Sequence, residues 1–454
     1  MEYKCICCLT TVLLCSDAAR ILGIFPGPSF SHQLVFQTIM KALVSRGHQV
    51  TVISTDPLKE PMENYTDVDM SFMYDYVRQK YNFTDYQEVT AFGAVLRSHP
   101  NTQRSFDLVF LELSRYQCYY GLVHHVGSPP VIGIRSVGIT TATLAAVGSP
   151  NNPSYFPDNY LPYSSHMTFF ERVHNTALYM WNRYYFGFQP PSVWKAENNV
   201  SLVMVNNHWS QSYPLPLMPS IIQLGNIHLQ EKSKELPKRS DNKVMRLIFF
   251  APDEATLQPP TRDMFDLGPP FTRIPTGTTL QADLKEFLDG ATEGAIYFSL
   301  GTNVRSETMS PEKKMTFLSA FSRLPQRVLW KRESDDMPGL SDNVKLAKWL
   351  PQQDVLAHPN MKLFITQGGL QSFHEATHYA VPMIGIPFIC DQQHNVRKMV
   401  DAGVGLKVDY STITNDSLVQ AINKILHDPR EHPFLVQFGP IKILLGMKRI
   451  GNHF

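Results

Sequence analysis

The chain has 454 residues, of which 43% are hydrophobic and 18% charged, and its formal net charge is +1. These values describe a well-cored globular protein of two larger or three ordinary domains and exclude disorder on a large scale. With no Lys/Arg run, nothing points to a nucleic acid or another polyanion as partner.

The first residues, MEYKCICCLTTVLLCSDAAR, place one Lys before an apolar run from Cys5 to Leu14, followed by small residues at Ser16, Ala18 and Ala19. This pattern predicts a secretory signal peptide over residues 1–19, since a membrane-spanning helix needs about 20 apolar residues. Four of the six cysteines lie inside it, and Cys118 and Cys390 fall in different halves, so no disulfide framework is indicated. Sequons at Asn64, Asn82, Asn199 and Asn415 agree with a lumenal chain. The expected location is the secretory pathway: the lumen or membrane of the endoplasmic reticulum, or secretion.

From Ile21 to Phe25 a short apolar strand is predicted, broken by Pro26, Gly27 and Pro28. Val35, Ile39, Met40 and Leu43 then share one face of a helix over 32–45, with Ser29 or Ser31 as its cap and Gly47 at its end. HQVTVIS is the next strand. Strand, helix and strand in this order make a βαβ unit and hence a parallel sheet. Residues 105–113 and 129–136 read as further buried strands. The stretch 150–220, rich in Pro, Tyr, Trp and Asn, reads as irregular surface structure.

The alternation returns in the second half. GAIYFSLGT, RVLWKR, NVKLAKWL, KLFITQG and VPMIGIP read as strands; SPEKKMTFLSAFSRL, LQSFHEATHYA and NDSLVQAINKILHD read as helices, the first with Ser310 as N-cap and Pro311 behind it. The expected organisation is an N-terminal domain over 20–235, a proline-rich irregular segment over 236–283, a C-terminal domain over 284–430 and an atypical tail over 431–454. No GxGxxG follows the first strand and no GxxxxGK[ST] occurs, which disfavours a dinucleotide dehydrogenase and a P-loop kinase.

The stretch from Lys348 to Asn395, KWLPQQDVLAHPNMKLFITQGGLQSFHEATHYAVPMIGIPFICDQQHN, has Trp349, Gln352, Gln367, Gly369, Ser372, Glu375, Pro387, Asp391 and Gln392 at fixed spacings. It closely resembles the donor-binding signature of the UDP-glycosyltransferase family, in wording most like insect members. The resemblance covers about residues 20–235 and 283–428. It implies a GT-B type α/β fold: two doubly wound Rossmann-like domains facing each other across a cleft. It implies a hexosyltransferase with a detoxifying role that moves glucose or glucuronic acid from a UDP-sugar to a hydroxyl of a small lipophilic acceptor, with inversion. No cofactor or metal is implied, the UDP-sugar being a co-substrate.

Residue by residue, the resemblance implies a uracil platform at Trp349 and UDP contacts at Thr302, Gln352, Gln367, Gly369, Ser372 and Glu375. Asp391 and Gln392 would hold the sugar. The chemistry of the residues agrees with these roles. Gly369 lets backbone approach a diphosphate, the helix after it directs N–H groups at that anion, and Ser372 and Glu375 share a helix face. His32, at the first helix start, stands where the family has its general base, and Glu112 stands where the family has the base's Asp partner. Gln367 replaces the commoner His. Beyond INKILHDP the chain departs from animal relatives, which continue to a membrane-spanning helix. Membrane association is thus expected of the family, with no C-terminal span in this chain. An alternative is a non-catalytic lumenal UDP-sugar-binding protein; a further one is another nucleotide-sugar enzyme such as an epimerase.

Overall fold

Strand β1 (Arg20–Phe25) runs into the helix α1 (Phe30–Ser45), which returns to β2 (Gln49–Ser54), parallel to β1. This is the predicted unit, with the helix beginning two residues earlier than its apolar period shows. Ser29 occupies the N-cap position but its hydroxyl meets Ser31 instead of a helix N–H. Gly47, at φ +89°, accepts the left-handed turn after the helix that a Cβ would strain. The computed structural model describes residues 18–79, 105–113, 119–187, 200–207, 212–213, 215–225, 227–229, 282–304, 306–334 and 337–427. Residues 1–17 of the expected signal peptide, Asn82, Asn199, nearly all of 236–283 and the tail 431–454 lie outside them.

The first sheet continues with β3 (Tyr65–Asp69), β4 (Leu108–Glu112), β5 (Val131–Arg135), β6 (Val200–Val205) and β7 (Ile221–Gln223). Its order is β3-β2-β1-β4-β5-β6-β7, parallel throughout. Between these strands lie α2 (Phe72–Gln79), α3 (Tyr119–His125), α4 (Thr141–Ala146) and α5 (Phe169–Gly187). The expectation of irregular structure over 150–220 is corrected by the 19-residue helix α5 and by β6. On α5 the periodicity is inverted. Asn175 faces inward, and Phe169, Phe170, Met180 and Trp181 face solvent.

A second parallel sheet has the order β10-β9-β8-β11-β12-β13. Its strands are β8 (Ala295–Ser299), β9 (Arg327–Lys331), β10 (Val344–Ala347), β11 (Met361–Thr366), β12 (Met383–Gly385) and β13 (Gly405–Lys407). The helices α6 (Ala282–Asp289), α7 (Pro311–Phe321), α8 (Gln352–Leu356), α9 (Leu370–His378), α10 (Gln392–Asp401) and α11 (Asn415–His427) accompany it. Ser310 caps α7 as expected, its hydroxyl accepting the Lys313 N–H at 3.3 Å.

The central strands β1, β4, β8 and β9 are buried on both faces, as parallel strands covered by helices must be. Phe298 and Trp330 are fully buried against Phe317 and Phe321 of α7, with Phe298 and Phe317 stacked at 4.8 Å. Each such side chain taken from water contributes roughly 2 kcal/mol. Both sheets share one winding, in which the chain order reverses direction between the first strand and the fourth. A ligand crevice opens at the carboxyl ends of those two strands. In the first sheet that is between β1 and β4, and in the second between β8 and β11.

Candidate active site

His32 lies in the first turn of α1, just beyond the carboxyl end of β1, and Glu112 is the last residue of β4. The first switch point therefore brings together two residues 80 positions apart. His32 Nδ1 lies 3.0 Å from Glu112 Oε1, so the carboxylate accepts from Nδ1–H and Nε2 is left as the ring's other nitrogen. The Glu112 side chain is 1% exposed and that of His32 23%. The extra methylene of Glu over Asp is taken up at Gly27, where a Cβ would approach Glu112 Oε2 to 3.0 Å. Asp107 is a structural residue. It receives the Arg20 N–H at 2.7 Å at the other end of β4.

Gln33, which sequence reasoning passed over, holds this loop in place. Its buried amide donates to the carbonyls of Phe25 and Gly27 at 2.8 and 3.0 Å and to Thr55 Oγ1 at 3.2 Å. The signal was present in the sequence: a polar residue on the inward face of an amphipathic helix.

The second switch point gathers the loop after β8 and the loop after β11. Gly301 adopts φ +77°, and a Cβ there would run into the Gln367 amide nitrogen, so the missing side chain makes room for that amide. Gln367 Oε1 accepts from Thr366 Oγ1 at 3.0 Å, which turns the NH2 end toward Gly301 and Gly369. Thr302 follows at the surface. Gly368, at φ +85°, is pressed against Val396, and Gly369 is the N-cap of α9. The first N–H groups of α9 thus face the same corner as the Gln367 amide.

Behind this corner Lys331 donates to the Gly301 carbonyl at 2.9 Å and to Glu333 Oε1 at 2.7 Å. Glu333 Oε2 receives the Glu307 N–H at 3.2 Å and the Ser306 hydroxyl at 3.3 Å. Burial works against the Glu333 carboxylate, but the hydrogen bond and charge of Lys331 outweigh it and lower its pKa. Both ends of the β8 loop are tied down by this one pair.

Gln352, Ser372 and Glu375 form one cluster. Gln352 Nε2 donates to Ser372 Oγ at 3.0 Å and to Glu375 Oε2 at 2.7 Å. Trp349 stands two residues past the end of β10, 57% exposed, with its ring edge-on to Phe30 at 4.9 Å. Asp391 is the N-cap of α10. Asn395 joins it to the glycine corner, donating to Asp391 Oδ2 at 2.9 Å and to the Gly368 carbonyl at 3.1 Å. Gln392 is buried, and its Oε1 accepts the N–H groups of Phe388 and Ile389 at 2.8 and 3.0 Å. Its carbonyl thus shapes the loop before α10. Of the sequons, Asn64 is exposed, whereas Asn415 starts α11 and donates to Ser319 at 3.2 Å.

The two switch points face each other. Asn303 donates to Ser29 at 3.4 Å, Gln371 to the Ser136 carbonyl at 3.1 Å, and Phe30 meets Trp349. A neutral contact completes the seam. His394 is wholly buried and held well below the ordinary imidazole pKa, by burial first and by the Lys398 charge second. Tyr213 packs on the His394 ring at 5.7 Å and donates to Asp401 at 2.9 Å.

Two doubly wound sheets with opposed switch points, one bearing a His–carboxylate pair and the other an anion corner, define a GT-B glycosyltransferase. Solved structures share the fold: LpCGTa in complex with UDP, at TM-score 0.54 and 14% identity, covers 94% of this chain and 95% of its own. The glycotransferase of kitacinnamycin, at TM-score 0.50 and 17% identity, covers 96% and 98%. The family described as UDP-glucoronosyl and UDP-glucosyl transferase matches residues 99–245 and 274–436. UDP-glucosyltransferase 2 of Dactylopius coccus is 30% identical, over 94% of this chain and 81% of its own. UDP-glucuronosyltransferase 2B7 of Homo sapiens is 25% identical, over 88% and 76%. The chain belongs to the UDP-glycosyltransferase family and is an enzyme that transfers a hexose from a UDP-sugar.

Proposed function

We propose that the enzyme transfers glucose or glucuronic acid to a hydroxyl of a small lipophilic acceptor by direct displacement, with His32 as general base. The acceptor oxygen bonds to the anomeric carbon, its proton passes to His32 Nε2, and the bond to the phosphate oxygen breaks with its electron pair leaving on UDP. One displacement inverts the anomeric carbon. Glu112 fixes the tautomer and meets the imidazolium charge as it forms.

On the donor side Trp349 is assigned to the uracil ring, Ser372 and Glu375 to the ribose, and Gln352 to the cluster that orients them. Thr302, Gln367, Gly369 and the start of α9 are assigned to the diphosphate, whose growing charge they meet as donors. Asp391 and the amide of Gln392 are assigned to the sugar hydroxyls. A place in the secretory pathway, with removal of residues 1–19 and a glycan at Asn64, belongs to the same proposal.

The observation that carries this assignment is the 3.0 Å contact between His32 and Glu112 at the switch point facing the anion corner. It also weighs against the non-catalytic alternative, since the Glu that stands in place of the family's Asp reaches the ring. The test is to incubate the full chain with UDP-glucose or UDP-glucuronic acid and a panel of phenols. Product with inverted configuration by NMR, lost in His32→Ala, is expected. Retained configuration would refute direct displacement, and unchanged turnover in His32→Ala would refute the base.

A further inference from the structure

The carboxylate of Glu375 has a neighbour from the other half of the chain. His228 follows β7 in the first half, yet its ring is 0% exposed and its Nε2 lies 3.5 Å from Glu375 Oε1. Neither ring nitrogen of His228 completes a hydrogen bond among the described residues. A buried polar ring that completes no hydrogen bond with the described residues is costly, so its place beside one particular carboxylate calls for a cause.

The backbone around it is fixed from the same place. Gln353 Nε2 donates to the His228 carbonyl at 3.2 Å and to Glu375 Oε1 at 3.3 Å. The His228 ring lies nearly parallel to that of His374 on α9, with centroids 6.3 Å apart. Glu375 therefore has Gln352 on Oε2, and Gln353 and His228 on Oε1. Each carboxylate oxygen has two acceptor sites, so this arrangement leaves capacity for a ribose hydroxyl while holding the rotamer that presents it.

We infer that His228 is a positioning residue for donor binding: through Nε2 it orients Glu375 toward the ribose and makes nucleotide affinity depend on a residue of the acceptor-side half. This rests on the assignment of Glu375 to the ribose. Donor occupancy, on this account, draws the ring and the carboxylate from 3.5 Å into hydrogen-bond range.

Calorimetric titration of the full chain with UDP, beside donor KM and kcat, tests it. His228→Leu should bind UDP roughly tenfold more weakly, as expected for a lost hydrogen bond to a charged group, with donor KM rising in parallel and kcat nearly unchanged. His228→Gln, which keeps an N–H donor, should recover much of the loss. Adding His228→Leu to Glu375→Gln should cost nothing further, because the effect runs through that carboxylate. Wild-type affinity in His228→Leu, with Glu375→Gln impaired, would overturn this inference alone, as would losses that multiply in the double variant. Wild-type affinity in Glu375→Gln would overturn the ribose assignment and this inference with it. Should His228→Leu not fold, His228→Asn and His228→Gln carry the comparison: Asn, a shorter donor, is expected to bind UDP more weakly than Gln, and equal wild-type affinity in both overturns the inference.

Discussion

His32 and Glu112 meet at 3.0 Å because β1 and β4 are neighbours in a parallel sheet, so that the loop after one and the last residue of the other share an edge. The carboxylate is buried beside Gly27, with no side chain between. Replacing Glu112 by Gln keeps the shape and removes the charge that matches an imidazolium. A fall in kcat of about a hundredfold or more is expected, with donor affinity unchanged. Glu112→Asp, one methylene shorter, should fall less, by roughly tenfold. Steady-state kinetics beside UDP titration separates the two quantities.

Gly301 offers a test of the anion corner. Its φ of +77° disfavours any Cβ, and the space a Cβ would fill belongs to the Gln367 amide. Gly301→Ala should cost about 1 kcal/mol in backbone strain and weaken UDP binding about tenfold by displacing that amide. Pairing it with Gln367→Ala restores room but not the donor. The clash is then relieved but the backbone strain of about 1 kcal/mol stays, so stability should recover only in part while UDP affinity stays low, which thermal melts and calorimetry would show.

Lys331 is nearly buried where it pairs with Glu333 and holds the Gly301 carbonyl. Removing one member of a buried pair costs more than the pair's net worth, because the other charge stays behind. Lys331→Met should lower stability by roughly 3 kcal/mol and raise donor KM more than it lowers kcat. Equal effects on both kinetic constants would count against a role confined to the donor loop.

Lys398 gives a pH dependence with a definite sign. Burial lowers its pKa to about 8, with Asp391 acting in the opposite direction. In the unfolded chain a Lys titrates near 10.4. Between these values the unfolded chain binds a proton that the folded chain does not, so this group makes stability rise with pH across that window. Below about pH 8 its cost is constant, on the order of 3 kcal/mol. Lys398→Met should melt higher than wild type at pH 7, and the gap should narrow by pH 10. Parallel stability curves from pH 7 to 10 would contradict this.

Much of the fold was legible because its segments obey one period at a time. The residues of α1 alternate apolar and polar at helical spacing, β1 and β8 are largely continuous apolar runs, and β2 and β11 carry their apolar residues in short strand-length stretches. Membership of the family was legible from spacings held over more than forty residues. What escaped is where buried faces are polar. On α5 the inward residue is Asn175 and the outward ones are aromatic. On α10 the buried side chains include Gln392 and Asn395, which bond loops of their own half, and His394 and Lys398, which meet Tyr213 of the other. Hydrophobic periodicity does not register an inward face made of amides and a lysine. Gln33, His228 and Asn395 are polar residues of the same kind, with buried partners that lie wholly or in part on other segments.

Asn395 sits between the two ends of the donor corner, one hand of its amide on Asp391 and the other on the Gly368 carbonyl. With Asp391 assigned to the sugar as proposed, a change made there to admit a different one also removes one of the two anchors of that amide. The glycine turn is then held less firmly, and the diphosphate end responds. On the proposed assignment of Asp391 to the sugar and of the glycine turn to the diphosphate, sugar choice and nucleotide affinity are therefore not independent settings in this enzyme.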